Sequence, residues 1–323
     1  MIQIVLLIFI LIVVLLVVNH YKEPFNVNKI QFLENNSVCK ILKKINYKYN
    51  TLDIKLRNIP FEYHDNLYKY YCDHLLDFNA LDKKLLIWVI EGMKQRTPDH
   101  LLFIFNTMKF AKFKNNIENG YPHTNYDIVF ITEKFIYNLL SYYNNNNIED
   151  AIKDIGSIII HEFIHVWQRK APEKFNDLYT YYWNFVKVDK IYNNKYLESI
   201  KRYNPDGVDT NWVFNFKGKH IYILSVYSED AKHIGNVNFI AIYLEKSGDK
   251  YIIPKNAKKH DLLSVKEYNS FFTHLYGNHY HPNEISAELL SIHYLKQMNI
   301  SHEDYSNMGY KNMVVWLNKT LKN

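Results

Sequence analysis

Apolar positions along this chain fall into several distinct patterns, each predicting a different element. Residues 1–18 carry one polar side chain, Gln3, and as a helix they would extend about 27 Å, enough to cross the hydrocarbon core of a bilayer. No basic stretch opens this segment and no small-residue cleavage site precedes Asn19, so an uncleaved membrane anchor over 1–19 is expected in preference to a signal peptide. Lys22, Lys29 and Lys40 follow the span with no basic residue before it, which leans the body toward the cytoplasmic side. Beyond the anchor, 20–120 reads as mainly helical, with apolar spacing through Leu67, Tyr71 and Leu75 and again through Leu85, Leu86, Val89, Ile90 and Met93. The short apolar runs 101–105 and 126–131 read as strands.

A different pattern occupies 147–169, where Ile152, Ile155, Ile158, Ile159, Phe163, Val166 and Trp167 cover most of a helical circumference. Asn147 supplies an N-cap, Glu149 and Asp150 sit in the first turn, and Pro172 follows the end. Between 211 and 255 the period changes to two. Four strand-like runs around Gly218 and Gly248 predict two hairpins or a four-stranded meander, inserted in a region spanning 121–323. A second helix is expected from 284 to 297, after Pro282.

The chemistry lies on these two helices. His161-Glu162-Phe163-Ile164-His165 puts two imidazoles one turn apart on one helix face, able to share a metal, with a carboxylate beside the first. On so apolar a helix these polar groups point into the interior and need partners. About 120 residues later, Glu284 and Glu288 at i, i+4 share a face, and two carboxylates held together favour a cation nearby. His279 and His281 are alternative ligands.

HExxH followed by Asn-Glu-x-x-Ser/Ala-Asp/Glu, here Asn283-Glu284-Ile285-Ser286-Ala287-Glu288, resembles the gluzincins, the thermolysin-like zinc metallopeptidases, over two helices of about forty residues together. The resemblance implies an α+β zincin-like domain with one Zn²⁺ per chain held by His161, His165 and Glu284. Glu162 would be the general base and Glu288 a carboxylate that orients a ligand histidine. A Tyr or His commonly holds the oxyanion in this family. Tyr276, Tyr280, His279 and His293 lie near the second helix, and Tyr276 and His293 are singled out as candidates. An edge strand near the metal helix commonly pairs with extended substrate, which points to 127–131. The function expected is a membrane-anchored peptidase acting on peptides or proteins. The rivals are a zincin-like binding or structural protein without turnover, and a zinc hydrolase of some other bond.

Composition narrows the partners. A net charge of +6 is spread as Lys among Asn and Tyr with no Arg-rich run, so no nucleic-acid partner is expected. Hydrophobic residues at 48% and aromatics at 16% suffice for a packed core outside the membrane. Cys39 and Cys72 are the only cysteines, without a CxxC spacing, so a cysteine metal site is not indicated and one bridge is allowed. Asn204-Pro205-Asp206-Gly207 reads as a turn, without the oxygen-ligand ladder of a calcium loop.

Overall fold

The structure is a computed structural model that describes residues 30–106, 108–206, 211–272, 279–301 and 306–322. The expected membrane anchor over 1–19 lies outside the described residues, among which no helix is long and apolar enough to cross a membrane. The fold is mixed α and β, consistent with the expected α+β class.

Two sheets frame the molecule. The first comprises β1 (Ile30–Phe32), β2 (Leu75–Leu76), β3 (Met108–Phe113), β4 (His123–Asn125) and β5 (Ile128–Thr132). Its order is β1-β3-β5-β4, with β1, β3 and β5 mutually parallel, β4 antiparallel on the edge and β2 antiparallel to β3. Strands from both sides of residue 120 therefore share one sheet. Met108, Phe110, Val129 and Ile131 face the main core, whereas Ala111, Phe113, Ile128 and Phe130 face a second cluster formed with Val38, Leu42 and Tyr71. Burial on both faces explains why β5 is a continuous apolar run rather than an alternation.

The second sheet comprises β6 (Phe185–Val188), β7 (Ile191–Tyr192), β8 (Asn211–Phe216), β9 (Lys219–Tyr227), β10 (Val237–Ser247), β11 (Lys250–Ile252) and β12 (His260–Asp261). Its order is β6-β8-β9-β10-β11-β7, with β12 against β10. The expected meander is its centre. Lys217 and Gly218, the two residues between β8 and β9, both have positive φ, the requirement of the tight turn that matches strand twist. Trp212, Phe214, Ile221, Ile223 and Ala241 turn toward the main core, where the site-bearing helices lie.

Those helices follow the sequence reading closely. Asn147 Oδ1 accepts from the Asp150 N–H at 3.2 Å, starting a continuous helical stretch of Ile148–Ala151, a wider π-helical turn Ile152–Gly156, and then Ser157–Lys170. The second helix is Pro282–Gln297, with Pro282 in its first turn. One expectation fails locally: Asp99–Phe105 is a 3₁₀ segment, not a strand over 101–105. Its buried residues are Leu101, Ile104 and Phe105, a helical spacing of three and four that a five-residue apolar run does not distinguish from a strand.

Candidate metal centre

The two helices run antiparallel, locked at both ends by hydrogen bonds. Gln168 Nε2 donates to Asn283 O at 2.8 Å and Ser286 Oγ at 2.9 Å, and Ser291 Oγ donates to Ser157 O at 2.8 Å. This register sets Glu284 opposite both histidines. His161 Nε2 and His165 Nε2 are 3.1 Å apart, and Glu284 places Oε2 3.5 Å from the first and Oε1 3.4 Å from the second. A tetrahedral ion with ligands at 2.0–2.1 Å needs ligand atoms about 3.3–3.4 Å apart, close to this triangle. Among the described residues, only His161, His165 and Glu284 form such a group, with ligand atoms within 4.8 Å of one another.

The protonation pattern also suits a cation. Because Gln168 Nε2 is committed as a donor, its Oε1 must be the atom that receives His165 Nδ1–H at 2.9 Å. The proton on Nδ1 leaves Nε2 with a lone pair. Glu288 Oε2 lies 3.6 Å from His161 Nδ1, favouring a proton there and a second Nε2 lone pair facing the first. Two lone pairs and a carboxylate converging without a positive charge would repel. In the protein alone that charge comes from protons. Burial works against a charged His161, yet Glu284 and Glu288 raise its pKa well above the usual imidazole value. Glu284, against the penalty of its own burial, is held far below the carboxylate range by His165 and His161.

Glu162 is buried, and its Oε2 accepts no hydrogen bond. Burial first, and then the nearby Asp206 carboxylate, push its pKa up to about 8. This is the environment of a group able to exchange protons near neutrality.

Several residues that sequence reasoning did not single out as site residues come from Asn204-Pro205-Asp206, read there as part of a turn. Asn204 Nδ2 donates to Glu284 Oε1 at 2.6 Å and to Tyr280 Oη at 3.0 Å, tying that segment to the candidate ligand eighty positions away. Asp206 Oδ1 accepts from the Thr124 N–H at 2.6 Å and Oγ1 at 3.1 Å. Arg169, one turn after His165, donates to Thr124 O at 3.1 Å, to Thr124 Oγ1 at 2.7 Å and to the Asp206 carbonyl. Gln168 was equally silent, since a glutamine after HExxH has no special meaning until its partners are seen. A cleft of about 720 Å³ opens over His161, Glu162 and Glu284, walled by Tyr121, Pro122, Arg202, Phe239 and Tyr280.

Several expected site residues are placed elsewhere. His293 lies nine positions beyond Glu284, half a circumference around the helix, and its buried Nδ1 shares a hydrogen bond with Tyr310 Oη at 3.0 Å. It does not reach the cleft and is withdrawn as an oxyanion group. Tyr276 lies outside the described residues. His281 caps its helix through Nδ1, which accepts from the Asn283 N–H at 3.2 Å, and His279 packs on Phe239 with ring centroids 5.2 Å apart. Neither joins the triangle.

The strand expected to receive substrate is also corrected. Within 127–131, β5 is interior to the sheet, between β3 and β4. The edge is β4, but Asp206 and Arg169 already occupy the Thr124 N–H and carbonyl, and Pro122 has no N–H to offer. Strand addition at this edge is blocked by the protein's own side chains.

No known protein family, no curated protein and no solved structure matches this chain.

Proposed function

We propose that the chain is a membrane-anchored zinc peptidase with a zincin-like catalytic region, resembling the gluzincins. The observation that carries this reading is the convergence of two imidazole lone pairs and the Glu284 carboxylate, with the unpartnered Glu162 Oε2 beside them. Nitrogen and oxygen donors in a nearly tetrahedral set suit Zn²⁺. Zinc held by His161, His165 and Glu284 would supply a Lewis acid, lowering the pKa of a water toward neutrality and polarising a peptide carbonyl.

The protein's own groups do the rest. Glu162 takes the proton of the attacking water on Oε2 and passes it to the leaving amine. Tyr280 receives a hydrogen bond from Asn204 and makes no other among the described residues, so its O–H is available to a developing oxyanion. Asn204 orients Glu284, and Gln168 orients His165. A zincin-like binding protein without turnover would have no use for a buried, unpartnered carboxylate that is not itself in the ligand triangle.

Metal content and turnover test the reading together. The full chain, expressed with zinc supplied, is expected to hold about one ion per chain, lost in His161→Ala or His165→Ala. Glu162→Gln keeps the shape without the base, so it should retain zinc and lose roughly two or more orders of magnitude in peptide cleavage. A metal content near zero in the wild type, or equal cleavage by Glu162→Gln, refutes it.

A further inference from the structure

Arg202 stands apart from the other arginines of the chain. The chain has only four, at 57, 96, 169 and 202. Arg57 is held by Asp53 at 2.7 Å and Glu118 at 3.0 Å; Arg96 donates to Gly92 O at 3.1 Å; Arg169 is bound by the carbonyls and hydroxyl described above. The Arg202 Nε is buried with no acceptor, and no carboxylate of the described residues lies within 4.0 Å of its guanidinium. The residue itself is half-buried on the lining of the open cleft, so a neutral partner would serve Nε and still leave the charge of the planar fork able to meet an anion there. Such a group calls for an explanation.

Its backbone is held from both sides, so the side chain is presented from a fixed position. The Arg202 N–H donates to Ser225 O at 2.9 Å, and Asn50 Nδ2 donates to Lys201 O at 2.8 Å. The Tyr203 N–H donates to Asp53 Oδ1 at 3.1 Å, Arg57 donates to Tyr203 O at 2.8 Å, and Asn204 is tied to Glu284 at 2.6 Å. The buried Arg57–Asp53–Glu118 cluster thus anchors the segment that carries Arg202 to the cleft.

Arg202 lines the cleft together with apolar and aromatic side chains. Val237, Phe239 and Tyr280 line the same cleft, the last two stacked with centroids 5.3 Å apart and planes 9° apart. Apolar surroundings strengthen a guanidinium–carboxylate contact, and the planar fork can hold both oxygens. The lining also carries Glu162, Glu284, Glu288 and Asp206, which repel a free carboxylate and leave the guanidinium to attract it. Lys153, the other cation of the lining, is adjacent to Asp154 of the same lining. With the β4 edge closed, side chains of the cleft are a means of gripping substrate.

We propose that Arg202 recognises a carboxylate of the substrate, either a peptide's C-terminus or an acidic side chain near the scissile bond. The inference rests on the peptidase reading for its substrate class. Its test uses matched peptide pairs with the full zinc-loaded chain: free acid against C-terminal amide, and Glu against Gln at each position flanking the cleaved bond. The wild type is expected to prefer the carboxylate member of one pair by about tenfold or more in kcat/KM, the worth of a charge-assisted hydrogen bond. That ratio should fall to about twofold or less in Arg202→Met and be partly regained in Arg202→Lys. A preference confined to the amide pair identifies the peptide terminus, and one confined to the Glu/Gln pair identifies a side chain. If no peptide is cut, the peptidase reading has failed, and binding of the same pairs to the Glu162→Gln chain, read by fluorescence anisotropy, still decides the role of Arg202. Equal cleavage and equal binding of both members of every pair by the unsubstituted Arg202 overturns the proposal without any variant having to fold. A preference unchanged in Arg202→Met does the same.

Discussion

Single side chains in the second layer decide whether the triangle of His161, His165 and Glu284 is ready for a metal. Gln168 fixes the tautomer of His165 and, through the same amide, the register of the opposing helix, so it couples chemistry to packing. Asn204 restrains Glu284 from the far side. Partners of this kind typically contribute 10- to 100-fold to metal affinity. Gln168→Ala and Asn204→Ala should therefore each weaken zinc binding by about 10–100-fold in a competition titration against a chelator, with the far-ultraviolet circular dichroism unchanged. Wild-type affinity in Asn204→Ala would remove Asn204 from the site. The Asn richness of the chain has a structural use. Asn50, Asn79, Asn147 and Asn307 cap helices, and Asn58, Asn119, Asn146, Asn184, Asn193 and Asn299 take positive φ. Asn tolerates that conformation better than most side chains and does there what Gly would otherwise do.

At the scale of elements, the helix that carries His161 and His165 is held by its neighbours rather than by its own amphipathicity, since it is apolar nearly all round. Phe163 packs edge-on against Phe110 of β3 with centroids 5.9 Å apart, and Trp167 packs against Phe175 at 4.8 Å and Trp316 at 5.8 Å. Trp316 belongs to the final helix, Met308–Thr320, whose close approach depends on Gly309. A Cβ there would meet the Phe272 ring at 2.5 Å and the Phe271 carbonyl at 3.0 Å, while Gly309 O accepts from Trp183 Nε1 at 2.9 Å. Ring and backbone cannot both move aside within so packed a core. Gly309→Ala should lose about 1–3 kcal/mol, read as a lower denaturation midpoint. A midpoint equal to that of the wild type would show that the final helix can shift freely.

For the whole molecule, the Cys39–Cys72 bridge ties the helices that cover the outer face of the first sheet, closing a separation of 33 residues. Loop-closure entropy of that length corresponds to about 3–4 kcal/mol, so Cys39→Ser with Cys72→Ser should lower the melting temperature while leaving zinc content at about one per chain. Loss of metal in that variant would mean that the bridge supports the site as well as the sheet. What the sequence by itself determined is what local rules govern. The two site helices, the meander with its turn at Gly218 and the pairing of His161 with His165 on one face follow from period, caps and turn chemistry, which act within a few residues. What only the tertiary structure decided are contacts between distant segments: Glu284 against both histidines, Asn204 on Glu284, Asp206 and Arg169 over the β4 edge, and Arg202 in the cleft. The same applies to His293, whose residue type suited an oxyanion role but whose helical phase turns it away. An antiparallel register between helices some 120 residues apart is set by packing and by three hydrogen bonds, and no local pattern encodes it.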